Sequence, residues 1–171
     1  MSEQIEQFWA EARVRGALNP IRGVSGPSVL ESVMPPAWAF GADPETATRL
    51  LDRVLQGVKT ATASLFSEYE AEGVELPAVG QLSIILDGES HPRALIRVTH
   101  VRTIPFREVE EGHALAEGED SLEDWRAAHR AFFASRLPEG ATFDEASPVV
   151  LERFEVLVPP EARRKAAKRR R

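Results

Sequence analysis

Cysteine is absent from the 171 residues, which excludes disulfides, thiolate metal sites and a cysteine nucleophile. No apolar run approaches the ~20 residues that a membrane-spanning helix needs. The opening Met1-Ser2-Glu3-Gln4 lacks the basic and apolar regions of a secretory signal. The expectation is a cytoplasmic protein without a membrane partner. Three signatures are also missing. Gly57-Val58-Lys59-Thr60 lacks the upstream glycine of a phosphate loop. His113 and His129 fit no metal-ligand spacing such as HExxH. No serine elbow of the α/β-hydrolase kind occurs.

Positive charge is scarce outside one stretch. Residues 163 to 171 hold seven basic groups; without them the net charge of -6 becomes about -13. An acidic body argues against sequence-independent duplex binding, which sets many cations on phosphates. The basic tail, 159 to 171, is expected to be a disordered, solvated end. Nucleic-acid binding, or folding back on the acids between Glu108 and Asp124, are its other readings.

Glu3 to Arg15 carries Ile5, Phe8, Trp9 and Ala12 at helical spacing, after Ser2 as cap. Residues 16 to 36 are rich in glycine and proline and read as an irregular connection, so 1 to 35 form an N-terminal appendage. Asp43 and Pro44 then open a helix whose apolar stripe is Ala47, Leu50, Leu51, Val54 and Leu55, and Gly57 stops it. Glu68 to Pro77 reads as an acidic loop. Leu82 to Leu86, Arg93 to Val101 and Val149 to Val158 read as strands, the first two joined by an Asp87-Gly88 turn. A short helix carries Val109, His113, Ala116 and Glu117. Ser121 caps another, with Leu122, Trp125, Ala128, His129 and Phe132 on one face. The sum is α+β, with a small, mainly antiparallel sheet.

Gly57 to Ser64 is the most informative stretch. A lysine follows the stop glycine at once, then hydroxyls alternate with alanines. One reading is a helix C-cap with a cation near the dipole's negative end, followed by an ordinary strand. The other is a site: a buried charge needs a partner or a use, and Thr60, Thr62 and Ser64 offer hydroxyls that bind or attack a ligand. Lys59 and Thr62 fall on opposite faces of a regular strand, so joint action requires Lys59 to lie in the junction and the strand to begin near Thr60. Glu117 is either a solvated acid or a partner for such a site. Trp38, Phe40 and Gly41 either wall a pocket for a flat base or close the core. Tyr69, the single tyrosine, carries a hydroxyl within reach of a ligand from the acidic loop.

Together these pieces resemble the ASCH family. The resemblance runs through Trp38-Ala39-Phe40-Gly41, Gly57-Val58-Lys59-Thr60-Ala61-Thr62, Pro77-Ala78-Val79-Gly80, Pro105-Phe106, Ala116-Glu117-Gly118-Glu119-Asp120, Trp125-Arg126-Ala127-Ala128-His129 and Glu152-Arg153-Phe154, in order over residues 36 to 158. It implies a small β-barrel akin to the PUA RNA-binding domain, with flanking helices. It also implies an amidohydrolase that removes the acetyl group from N4-acetylcytidine, with Lys59, Thr62 and Glu117 as the catalytic group. Trp38, Phe40, Gly41, Thr60, Ser64 and Tyr69 are the expected substrate contacts. Two alternatives accompany it: a ribonuclease on single-stranded RNA, and an RNA- or nucleotide-binding module without chemistry. No cofactor is expected; a divalent metal enters only under the ribonuclease reading. The partner is a nucleoside or single-stranded RNA, and monomer and homodimer stay open.

Overall fold

The computed structural model describes residues 3–16, 33–137 and 142–169. Ser2, most of the irregular connection and the last two arginines lie outside the described residues.

Helix α1 (Glu3–Arg15) buries Trp9 and Ala12. A two-residue strand, β1 (Ala37–Trp38), precedes α2 (Pro44–Leu55). At the start of α2 the Asp43 side chain accepts the Thr46 N–H at 2.9 Å, as its sequence position predicts. Strand β2 (Ala61–Leu65) leads directly into α3 (Phe66–Glu72), so Tyr69 sits on a helix and not in the expected loop. The hairpin β3 (Leu82–Leu86) and β4 (Pro92–Pro105) is closed by a turn in which Asp87 Oδ1 accepts the Glu89 and His91 N–H groups. Helices α4 (Glu111–Glu117) and α5 (Leu122–Arg136) follow, the second capped by Ser121, whose hydroxyl accepts the Asp124 N–H at 3.1 Å. Strand β5 (Pro148–Val158) and helix α6 (Pro160–Arg169) complete the described chain.

The strands form one sheet in the order β1-β3-β4-β5-β2. Three pairings are antiparallel, while β1 runs parallel to β3. This corrects the barrel expectation. The sheet is open, because β1 spans two residues at one edge and β2 lies at the other without a pairing between them. A closed barrel requires its edge strands to pair.

Strand β5 is the spine. On one face Phe154 and Val156 pack with Phe40, Leu51, Val54, Ile85, Ala94, Ile96 and Ala162. On the other, Val149 and Leu151 pack with Leu65, Phe106, Val109, Trp125 and Phe133. A third cluster joins Trp9 and Ala12 of α1 to Leu82, Ile84, Leu95 and Leu157. The period of two along β5 thus feeds two separate cores.

Residues 160 to 169 correct a second expectation. They form α6, not a disordered end, because Ala162 is buried and Arg163 and Arg164 pair with Glu155 and Glu161. No helix among the described residues is long and apolar enough to cross a membrane.

Candidate active site at the α2–β2 junction

The α2 helix ends by reversal at Gly57, whose φ of +72° favours a residue without a Cβ. The Arg53 carbonyl then accepts two N–H groups, from Val58 at 2.9 Å and Lys59 at 3.1 Å. Lys59 is therefore fixed in the junction, and β2 begins at Ala61. Thr60, also buried, donates its N–H to the Ala116 carbonyl at 2.6 Å and accepts from the Phe154 N–H at 3.0 Å. The last turn of α4 thereby covers the start of the edge strand. Arg53 strengthens that closure, donating to the Gly118 carbonyl at 2.8 Å.

Inside the closure, Lys59 Nζ donates to Glu117 Oε2 at 2.9 Å, and their side chains are 4% and 5% exposed. The other carboxylate oxygen accepts Trp125 Nε1–H at 2.9 Å and His113 Nε2–H at 3.0 Å, and His129 Nε2 lies 3.6 Å from it. Burial pushes the Glu117 carboxyl up, but the Lys59 charge, the two histidines' hydrogen bonds and the His129 charge outweigh it. The group is held well below the usual carboxylate range. His129 stacks on Trp125 at 4.0 Å, and its Nδ1–H donates to the Trp125 carbonyl. The Lys59 ammonium also lies 5.1 Å from the centroid of the Phe40 ring. Glu117 is thus ionised and fully partnered, with Lys59 among its donors.

Thr62 stands apart from this pair. It is half-buried on β2, directly opposite Glu152 of β5, and its hydroxyl has no hydrogen-bond partner among the described residues. Ser64, two residues on and on the same face, shares a 2.9 Å hydrogen bond with the Tyr69 hydroxyl. Burial pushes the Tyr69 phenol up against the opposing Ser64 bond, and Glu152, Glu68 and Glu72 add to the rise. The two halves meet through aromatic rings. Phe40 stacks on Phe154 at 6.2 Å, and Phe154 shares a face of β5 with Glu152. Among the described residues no hydrogen bond or ion pair joins Lys59 or Glu117 to Thr62; the link between them is the Phe40 ring, which meets the Lys59 ammonium and Phe154.

Of the residues expected at the site, Lys59 and Glu117 are joined, and Ser64 and Tyr69 are joined separately. Phe40 belongs to the core and supplies the ring beneath Lys59, while Trp38 packs edge-on against Phe40 at 4.8 Å. Gly41 has a φ of +78° and abuts the Thr46 side chain, which makes it a turn residue at the start of α2. His113, Trp125, His129 and Glu152 gain importance that the sequence alone did not give them. A signal existed for one: His113 and Glu117 are four apart, hence neighbours on a helix face.

Among the described residues no group of three His, Cys, Asp or Glu side chains is arranged to hold a metal ion. A surface depression lined by Glu45, Thr48, Arg49, Asp52, Arg53 and Gln56 follows α2; of the residues above it includes Arg53 alone, and neither Lys59, Thr62 nor Glu117.

The ASCH domain family model matches residues 36–158. A crystal structure from Enterococcus faecalis V583 is similar at 34% identity and TM-score 0.77, covering 94% of this chain and 94% of that one. An ASCH domain structure from Lactobacillus crispatus JV V101 is similar at 30% identity and TM-score 0.78, covering 92% and 96%. No curated protein matches the sequence. The ordered motifs, the α2–β2 junction and the family match agree, and the chain belongs to the ASCH domain family.

Proposed function

We propose that the protein is an amidohydrolase that removes an acyl group from the exocyclic amine of a cytidine, with N4-acetylcytidine as the representative substrate. The observation that carries this reading is the buried Lys59–Glu117 pair at the entrance of the strand that presents the unpartnered Thr62 hydroxyl. Thr62 is the nucleophile towards the acyl carbon. Lys59 donates to an ionised carboxylate, so its chemical use is as a donor that stabilises the oxyanion. Glu117 fixes that donor, and His113 and Trp125 fix Glu117. Ser64 and Tyr69 extend the polar face beyond Thr62 and suit hydrogen bonding to the nucleoside.

The test is release of cytidine from N4-acetylcytidine by the purified protein. Turnover that is lost in Thr62→Ala and partly kept in Thr62→Ser is expected. Absence of turnover across a panel of N4-acyl cytidines would overturn the reading.

A further inference from the structure

The proposed chemistry leaves one proton without an acceptor. Thr62 must lose its hydroxyl proton on attack, yet Lys59 Nζ is already engaged as a donor to Glu117. The Glu117 carboxylate already accepts from Lys59, Trp125 and His113, and no hydrogen bond joins it to Thr62.

Resting on that reading, we propose that Glu152 is the general base and acid of the reaction, transferring the proton between Thr62, the leaving amine and water. The pairing of β2 with β5 sets Thr62 and Glu152 directly opposite. Such pairs hold their Cβ atoms roughly 4.5–5.5 Å apart and facing the same side. No hydrogen bond joins their side chains in this structure, and catalytic contacts commonly tighten only when substrate is bound. The Glu152 carboxyl has neither ion pair nor hydrogen bond among the described residues, unlike Glu117.

The groups around Glu152 leave its titration to burial. Thr62 and Ser64 on β2, and Val101 and Thr103 on β4, carry no charge near neutrality. From α3, Tyr69 faces it as a neutral phenol; Glu68 and Glu72 of the same helix act on Tyr69, and Glu68 pairs with Arg136. Arg153, next in sequence, points to the opposite face and donates to the Gly112 carbonyl. Desolvation raises the Glu152 carboxyl to about 7, which suits a group that must both take and return a proton.

The sequence of bonds balances. Thr62 Oγ1 bonds to the acyl carbon as its proton passes to Glu152. The tetrahedral adduct expels the cytosine amine, breaking the C–N bond, and Glu152 delivers the proton to that nitrogen. Water then adds to the acyl-threonine ester and gives a proton to Glu152. Collapse breaks the C–Oγ1 bond, the proton returns to Thr62, and the free carboxylic acid leaves.

The test is kcat/KM for N4-acetylcytidine against pH from 5 to 9, in wild type, Glu152→Gln and Glu152→Asp, with circular dichroism confirming each fold. The expected result is a wild-type limb that rises through about pH 7. In Glu152→Gln the limb vanishes and the rate falls about 10²–10⁴-fold; Glu152→Asp retains a limb. A Glu152→Gln protein that keeps the limb overturns the assignment but leaves the amidohydrolase reading standing. A wild type inactive throughout overturns both.

Discussion

Glu117 and Glu152 have the same side chain and opposite surroundings, and their effects on stability run in opposite directions with pH. Glu117 has a native pKa well below its ordinary 4.5, so its contribution is complete above pH ~4.5 and is lost as pH falls through the depressed native value. Glu152 is raised from 4.5 to about 7, so the native chain keeps a proton that the unfolded chain has lost between those values. Its contribution is present below pH ~4.5 and is lost as pH rises through 7, a change on the order of 3 kcal/mol. Glu152→Gln is therefore expected to be more stable than wild type at pH 8 relative to pH 5, measured as Tm across that range. A wild-type minus variant difference that does not change with pH would contradict the burial of this carboxyl. Lys59→Met leaves Glu117 charged and unpaired, and a loss of about 3–5 kcal/mol is expected in urea unfolding. Adding Glu117→Gln to Lys59→Met restores part of it, because the orphaned charge is then gone. Lys59 was legible as a candidate because a lysine after a stop glycine is anomalous. Glu152 was not, since in a β-strand a carboxylate facing a half-buried side looks the same as one facing water.

At the scale of elements, capped helices were legible and docked ones were not. Asp43, Pro44, Gly57 and Ser121 mark boundaries through local backbone chemistry: α2 begins and ends, and α5 begins, where those residues indicate. Helix α3 lacks such a mark: its N-cap is Leu65, and the first turn is secured by Glu68 accepting the Leu65 N–H at 3.3 Å. Helix α6 was hidden by its own charge. Like charges along a segment oppose helix formation, but Ala162 is buried in the core, and the backbone at Ala166 packs against Gly57. A Cβ added at Gly57 would lie 2.3 Å from the Ala166 nitrogen and 2.8 Å from the Lys165 carbonyl carbon. These are backbone atoms, so relief requires α6 to move. Gly57→Ala is thus expected to cost more than the ~1–2 kcal/mol of a left-handed alanine alone. The check is thermal unfolding, with Gly73→Ala as control, because Gly73 is also left-handed but has open space around its Cα.

For the whole molecule, removal of residues 160 to 171 becomes a test of stability as well as of charge. Deleting a solvated tail changes only electrostatics, whereas deleting α6 uncovers Phe154, Val156 and Leu51 where Ala162 packs with them. Truncation after Pro159 is expected to lower Tm by several degrees, a shift of the size produced by ~1–2 kcal/mol in a domain of this length. A truncated protein with unchanged Tm would return these residues to the role of a passive end. The overall sheet order could not be read from the sequence, because nothing local tells an edge strand which partner it will meet. Strand β2 pairs with β5 alone, and that single choice sets Thr62 against Glu152 and leaves the sheet open.

The contact between Gly57 and α6 also has a meaning in the order of synthesis. The turn that aims Lys59 leaves the ribosome early, but the backbone that packs against it is made more than a hundred residues later. A delay of about ninety residues separates Thr62 from Glu152 of β5. A growing chain can form α2 and the β3–β4 hairpin, yet it holds its lysine and threonine in an unfinished frame until the last strand and helix arrive. The candidate site is assembled by closure of the chain's late segments onto its early ones, so folding and completion of that cluster occur in the same step.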